Sequence, residues 1–300
     1  SDLYCLLSMP AAFCTSRAMS APELFDRRLR RLRRDRATPH FAEHAFLIHH
    51  MAEELVDRLA MVTRDFGRAL VLGASDAHMI DRLRGRGTKV VAADPGFAFA
   101  RAAGGVQCDE DRLPFADASF DLIISIGLLD SVNDLPGALA LIRRALRPDG
   151  LFLGGFVGAG SLPRLRAAMS AADGDRAAPR LHPQIDVRSA GDLLVRAGFT
   201  MPVADGDRLN VRYRSLEGLL SDLRGMGATS TLVDRGPPIG REALFRAFET
   251  FGEAADEDGR TAETFELVYL SAWSPDASQP RPARRGSATA SLAEALKPKS

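Results

Sequence analysis

From residue 68 to residue 157, short apolar runs alternate with helical patterns without a break. RALVLGA (68–74) leads into DAHMIDRLRGRG (76–87), and KVVAAD (89–94) leads into GFAFARAA (96–103). VQCD (106–109) is a short strand. SFDLIISIG (119–127) leads into DLPGALALIRRALRP (134–148), and LFLGGFV (151–157) follows. Apolar runs of this length read as strands covered on both faces, and the helices between them supply crossover connections. Such βαβ units close into a parallel sheet, and the right-handed crossover leaves a doubly wound α/β fold as the expected architecture.

The flanking segments are less regular. FDRRLRRLRRDRA (25–37) carries arginines at helical spacing. A nucleic-acid or acidic-partner helix is one reading; the expected one is the solvated face of an amphipathic N-terminal helix. FAEHAFLIHHMAEELVDRLAMV (41–62) predicts a second, longer helix, whose His44, His49 and His50 lack metal-ligand spacing. Helices are expected over 161–173, 188–199, 215–227 and 240–253, with extended chain over 201–213 and a strand over 264–274. Residues 1–24 are expected to be disordered, with Met19 a candidate true start, and 275–300 to form a loose tail rich in Pro, Ser, Arg and Ala. The domain then spans 25–274, with a helical cap inserted over about 158–258 that supplies the substrate side.

Charge excludes some functions. Lys plus Arg and Asp plus Glu are equal at 39 each. No overall field draws this chain to nucleic acid or to a membrane. No apolar run approaches the ~20 residues of a membrane span. Three cysteines, Cys5, Cys14 and Cys108, form no disulfide framework and no metal motif, which suits a reducing compartment.

In a doubly wound sheet, ligands bind at the carboxyl ends of the strands. Three stretches meet there: the turn GASDA (73–77), Asp94 at the end of VVAAD, and CDEDRLPFADASFD (108–121). A carboxylate about twenty residues past a glycine turn can accept both hydroxyls of a ribose. Asp94 stands at that distance from Gly73, although an Asp after a strand also caps helices. No nucleophile–base pair is visible, so no catalytic residue is assigned.

The blocks VVAAD, CDEDRLPFADASFDLIIS and NDLPGALALIRRALRPDGLFLGGF resemble class I S-adenosylmethionine (SAM) dependent methyltransferases. RAGF (196–199), LLSDLRGMG (219–227) and RPARRGSATASLAE (281–294) resemble a narrower group, the respiratory complex I assembly-factor family of this fold and its bacterial relatives. The likeness covers about residues 24–294. A more distant likeness is to the methyltransferases that act on malonyl-acyl carrier protein.

The resemblance implies a seven-stranded, mainly parallel sheet with its last strand antiparallel, SAM as cofactor, and a protein substrate such as an arginine of a complex I subunit. A cytoplasmic protein, or one peripheral to the inner membrane, is expected, and no metal, because no His/Asp/Glu ligand set is visible in the sequence. Asp94 matches the family's ribose-binding acid, and Asp109, followed by Glu110, the acid near the adenine amino group. Ile126 and Gly127 fall on the strand end that lines the cofactor.

The glycine loop departs from the pattern. Gly73 matches, Val71 replaces an acid, and Ser75 and Ala77 replace glycines. Ser75 and Asp76 are the expected neighbours of the methionyl end, with Asp76 a candidate partner for its ammonium. Asp130 and Ser131 replace a His-Trp pair common in relatives. This leaves a non-catalytic or hydroxylating assembly module, and an acyl-carrier or small-molecule methyltransferase, as alternative functions. Arg212 and Tyr213 are candidates for facing the substrate; Tyr213 equally suits local packing.

Overall fold

The computed structural model describes residues 22–75 and 77–279. Asp76, the RGSAT block and most of the two segments expected to be loose lie outside the described residues.

Three helices precede the sheet: α1 (Arg27–Ala37), the short α2 (Phe41–His44) and α3 (Phe46–Ala60). The alternating region follows as β1 (Arg68–Leu72), α4 (Ala77–Gly85), β2 (Lys89–Asp94), α5 (Phe97–Ala102), β3 (Val106–Gln107), β4 (Phe120–Ile126), α6 (Leu135–Ala145) and β5 (Leu146–Val157). The remaining elements are α7 (Pro163–Asp173), α8 (Val187–Arg196), β6 (Thr200–Tyr213), α9 (Leu216–Gly225), α10 (Arg241–Glu253) and β7 (Thr261–Trp273). The seven strands run in the order β3-β2-β1-β4-β5-β7-β6. β1 to β5 pair in parallel, and β7 is antiparallel to both β5 and β6.

Period-two alternation sorts the strand residues onto two apolar layers. Ala69, Val71, Leu122, Ile124, Leu151 and Leu153 face α3 and α4, where Met51, Leu55, Met79 and Leu83 are buried. Leu70, Leu72, Ile123, Phe152 and Phe156 face α6 and α8, where Leu139, Ile142 and Leu194 are buried. Both sheet faces are covered, so the strands read as continuous apolar runs.

Two expectations are corrected here. The helix expected over 41–62 breaks at Ala45, so that α2 and α3 are separate. The cap over 158–258 is not one helical insertion: β6 lies within it as the edge strand of the sheet, and α7, α9 and α10 bury Leu165, Leu219, Leu223 and Phe251 in the first of these layers. β6 covers the segment expected to be extended, and as an edge strand it is half solvated, leaving Met201 and Val203 exposed. Among the described residues no helix is long and apolar enough to cross a membrane.

Candidate active site

The parallel strands end on one side of the sheet, where the turns after β1, β2, β3 and β4 meet. Gly73 begins the first turn with φ +91°, and its amide donates to the Ala93 carbonyl. A Cβ at this position would sit 2.3 Å from the Ile126 carbonyl oxygen, so the β1 turn and the β4 end close on each other only over a glycine. Ser75 does not have positive φ. The loop therefore carries no left-handed strain at that position, where the family pattern has glycine. Val71 is fully buried in the apolar layer beside α3. Ile126 is buried at the end of β4.

Asp94, Asp109 and Glu110 come together as expected, each 1% exposed. Their partners were not expected. Every one is met by an arginine of α1. Arg34 donates through Nε and Nη2 to the two oxygens of Asp94, both at 2.7 Å. Arg30 donates through its two terminal nitrogens to Glu110, at 2.6 and 2.9 Å. Arg31 reaches Asp109 at 2.6 Å, and Arg27 binds both oxygens of Asp111 at 2.6 and 2.7 Å. Burial works against the Arg30 charge, yet Glu110 beside it holds its pKa above the ordinary value.

The reading of 25–37 as a solvated face is thus overturned. Arg30 and Arg34 are 5% and 6% exposed, and they form the helix's contact with the sheet ends. A signal was present in the sequence. Only Leu29 and Leu32 are strongly apolar between Arg27 and Arg36, too few for an apolar stripe. A helix without such a stripe must dock, if it docks at all, through its charges. The acids it needs are consecutive at 109–111.

The chain leading into α1 is fixed at three points. The Phe25 amide donates to Asn133 Oδ1 at 2.8 Å, and Asn133 Nδ2 donates back to the Phe25 carbonyl at 3.0 Å. The Asp26 amide donates to the Thr231 carbonyl, and the Asp26 side chain caps α1 by accepting from the Leu29 amide.

The acceptors that the resemblance assigns to adenosine are engaged within the chain. A ribose diol needs both oxygens of Asp94, and Arg34 holds both, with the Gly96 amide also donating to Oδ1 at 2.7 Å. Both Glu110 oxygens are likewise taken. One acceptor is left over: Asp109 Oδ1 is buried with no hydrogen-bond partner. A buried carboxylate oxygen without a donor is costly, and it is the acceptor that the resemblance assigns to an adenine amino group.

Beyond the β4 end lies a cavity of about 170 Å³. Its walls are apolar: Leu47, Leu162, Leu165, Met169, Leu223 and Phe265. Asp130, in the turn Leu129–Ser131 after β4, and His182 supply polar groups at its lining. Burial raises the Asp130 carboxyl to about 6 against the opposing pull of Arg30, and Arg30 is itself committed to Glu110. Burial, with Arg30 and Arg33 nearby, lowers His182 to about 4, so its imidazole is neutral. His182 Nε2 accepts from the Thr231 amide at 2.8 Å, and its ring packs edge-on against Phe25. Arg180, also at the wall, is tied to Asp173 and to the Pro237 carbonyl.

Arg212 and Tyr213 do not reach the cavity. Arg212 pairs with Asp256 and Asp258, and Tyr213 is buried in the apolar layer. His44 meets Asp222 at 2.7 Å and His50 meets Asp207 at 2.9 Å, as separate pairs.

Comparison with known proteins agrees with this architecture. A methyltransferase-domain family pattern matches residues 70–154. The protein named arginine-hydroxylase NDUFAF5, mitochondrial, from Danio rerio is 33% identical, covering 91% of this chain and 90% of its own. A malonyl-[acyl-carrier protein] O-methyltransferase from Laribacter hongkongensis is 30% identical, covering 82% of this chain and 89% of its own. Among solved structures, a putative methyltransferase from Bacillus halodurans superposes with a TM-score of 0.52 at 14% identity. It covers 75% of this chain and all of its own, and shows the fold alone.

Proposed function

We propose that this chain, which belongs to the family of SAM-dependent methyltransferases that includes arginine-hydroxylase NDUFAF5, acts on an arginine side chain of a partner protein, as the resemblance to complex I assembly factors implies. The observation that carries this reading is the cavity after β4: apolar walls with the carboxyl of Asp130 among them. An arginine side chain has the matching form, a methylene stem that packs on apolar surface and a cationic head that seeks a carboxylate. The name and coverage of the relative from Danio rerio support the same acceptor.

The acyl-carrier reading has a relative of similar identity in its favour. The cavity speaks against it. The free carboxylate of a malonyl group would be brought beside Asp130, and like charges repel, while Arg180 at the same wall is engaged by Asp173.

Blocked arginine and blocked citrulline separate these readings. They share shape, and only arginine is charged. Calorimetric titration should show arginine bound at least tenfold more tightly, and Asp130→Asn should erase the preference. Equal binding of the two, or tight binding of malonyl-pantetheine instead, would overturn the arginine reading.

A further inference from the structure

The carboxylates that the resemblance assigns to the cofactor are bound by arginines of the protein's own first helix. We propose that α1 is a displaceable plug, whose arginines hold the carboxylates that adenosine requires, so that SAM binds only when α1 leaves the strand ends. The inference rests on the family's cofactor and is independent of the acceptor.

How α1 is held supports the proposal. Its buried face consists of Arg30, Arg34 and Ala37. By contrast α3, which packs on the sheet, buries Leu47, Ile48, Met51, Ala52, Leu55, Val56 and Leu59. Removing α3 would expose a hydrophobic layer. Removing α1 exposes Ala37 and the Phe99 ring over which Arg34 lies, frees the Ala98 amide from Asp35, and exchanges arginine–carboxylate pairs for hydration and for hydrogen bonds to a ligand. Buried ion pairs of this kind balance a large desolvation cost against a large attraction, so their net hold is small. An element attached in this way belongs to the weakly protected part of a fold.

The pairing also matches the ligand. Arg34 takes both oxygens that a ribose diol would take. Arg31 takes one oxygen of Asp109 and leaves the other bare. The guanidinium groups therefore substitute for adenosine incompletely, and a ligand amino group at Asp109 Oδ1 would satisfy an acceptor that α1 does not. The apparent affinity for SAM is then the intrinsic affinity multiplied by the fraction of molecules with α1 undocked.

The test is calorimetric titration of the full chain with SAM and with S-adenosylhomocysteine. Arg34→Ala releases both Asp94 oxygens and loosens α1, and it should bind both ligands at least tenfold more tightly than the wild type. The second ligand is needed because it carries no net charge. A gain for cationic SAM alone would reflect only the loss of a nearby positive charge, and would overturn the proposal. Unchanged or weaker binding of both ligands, or no binding by either protein at millimolar ligand, would overturn it as well. If Arg34→Ala does not fold by circular dichroism, Arg31→Ala replaces it. The Arg31 side chain is 40% exposed, and its loss leaves Asp109 facing Arg27 alone, at 3.4 Å; the same gain, at least threefold, is required.

Discussion

Gly73→Ala is expected to lower stability by roughly 2–5 kcal/mol, from two additive costs. The backbone at Gly73 has φ +91°, a conformation that costs an L-residue about 1–2 kcal/mol. The new Cβ would also lie 2.3 Å from the Ile126 carbonyl oxygen, which is backbone and cannot swing aside. The ends of β1 and β4 would have to separate, an overpacking cost of about 1–3 kcal/mol. Denaturant unfolding measures the sum. Ser75→Gly is the control: Ser75 has no positive φ, so it should change stability by less than about 1 kcal/mol, through the entropy of the unfolded chain alone. A tolerated Gly73→Ala would mean that the turn is not held against β4 as described.

Asp130→Asn is expected to stabilise the protein at pH 8 and to leave it unchanged at pH 4. The unfolded carboxyl titrates near 3.8 and the folded one at about 6. Between those values the native chain keeps a proton that the unfolded chain has released. Stability therefore falls as pH rises through this window, and above it the full cost is present. At about 1.4 kcal/mol per pH unit the cost is on the order of 2–3 kcal/mol. Asparagine cannot ionise and escapes it. For a chain of this size that is a rise in Tm of roughly 5–10 °C at pH 8. A destabilised variant at pH 8 would show that the Asp130 charge balances Arg30 rather than waiting for a ligand. A site that keeps a buried carboxylate against its own stability is the usual mark of a binding role.

Much of this was legible in the sequence. Strands and helices from 68 to 157 fall where the apolar runs place them, because both sheet faces are covered and the strands must be apolar throughout. Asp94, Asp109 and Glu110 could be brought together from strand ends alone. The helix-cap reading of Asp94 does not hold: its Oδ1 accepts from Gly96, the N-cap residue of α5, while the first-turn amide of Ala98 donates to Asp35 of α1. The role of α1 was not legible, because local periodicity reports which residues share a helix face and not what charge that face will meet. Arg34 and Asp94 are sixty positions apart, and Arg30 and Glu110 eighty. The Arg-rich pattern looks the same whether it is solvated or buried; only the missing apolar stripe distinguishes the two. The cavity was hidden for a related reason, since Leu47, Asp130, His182 and Phe265 converge from four separate elements.

The central claim is that α1 and the cofactor compete for one set of carboxylates. Hydrogen exchange at the amides of residues 27–37, with and without saturating SAM, tests it most directly. If they compete, SAM speeds exchange throughout α1 while it slows exchange at the ends of β1, β2 and β4. If α1 amides become more protected together with those strand ends, α1 stays docked over a bound cofactor, and the competition does not exist.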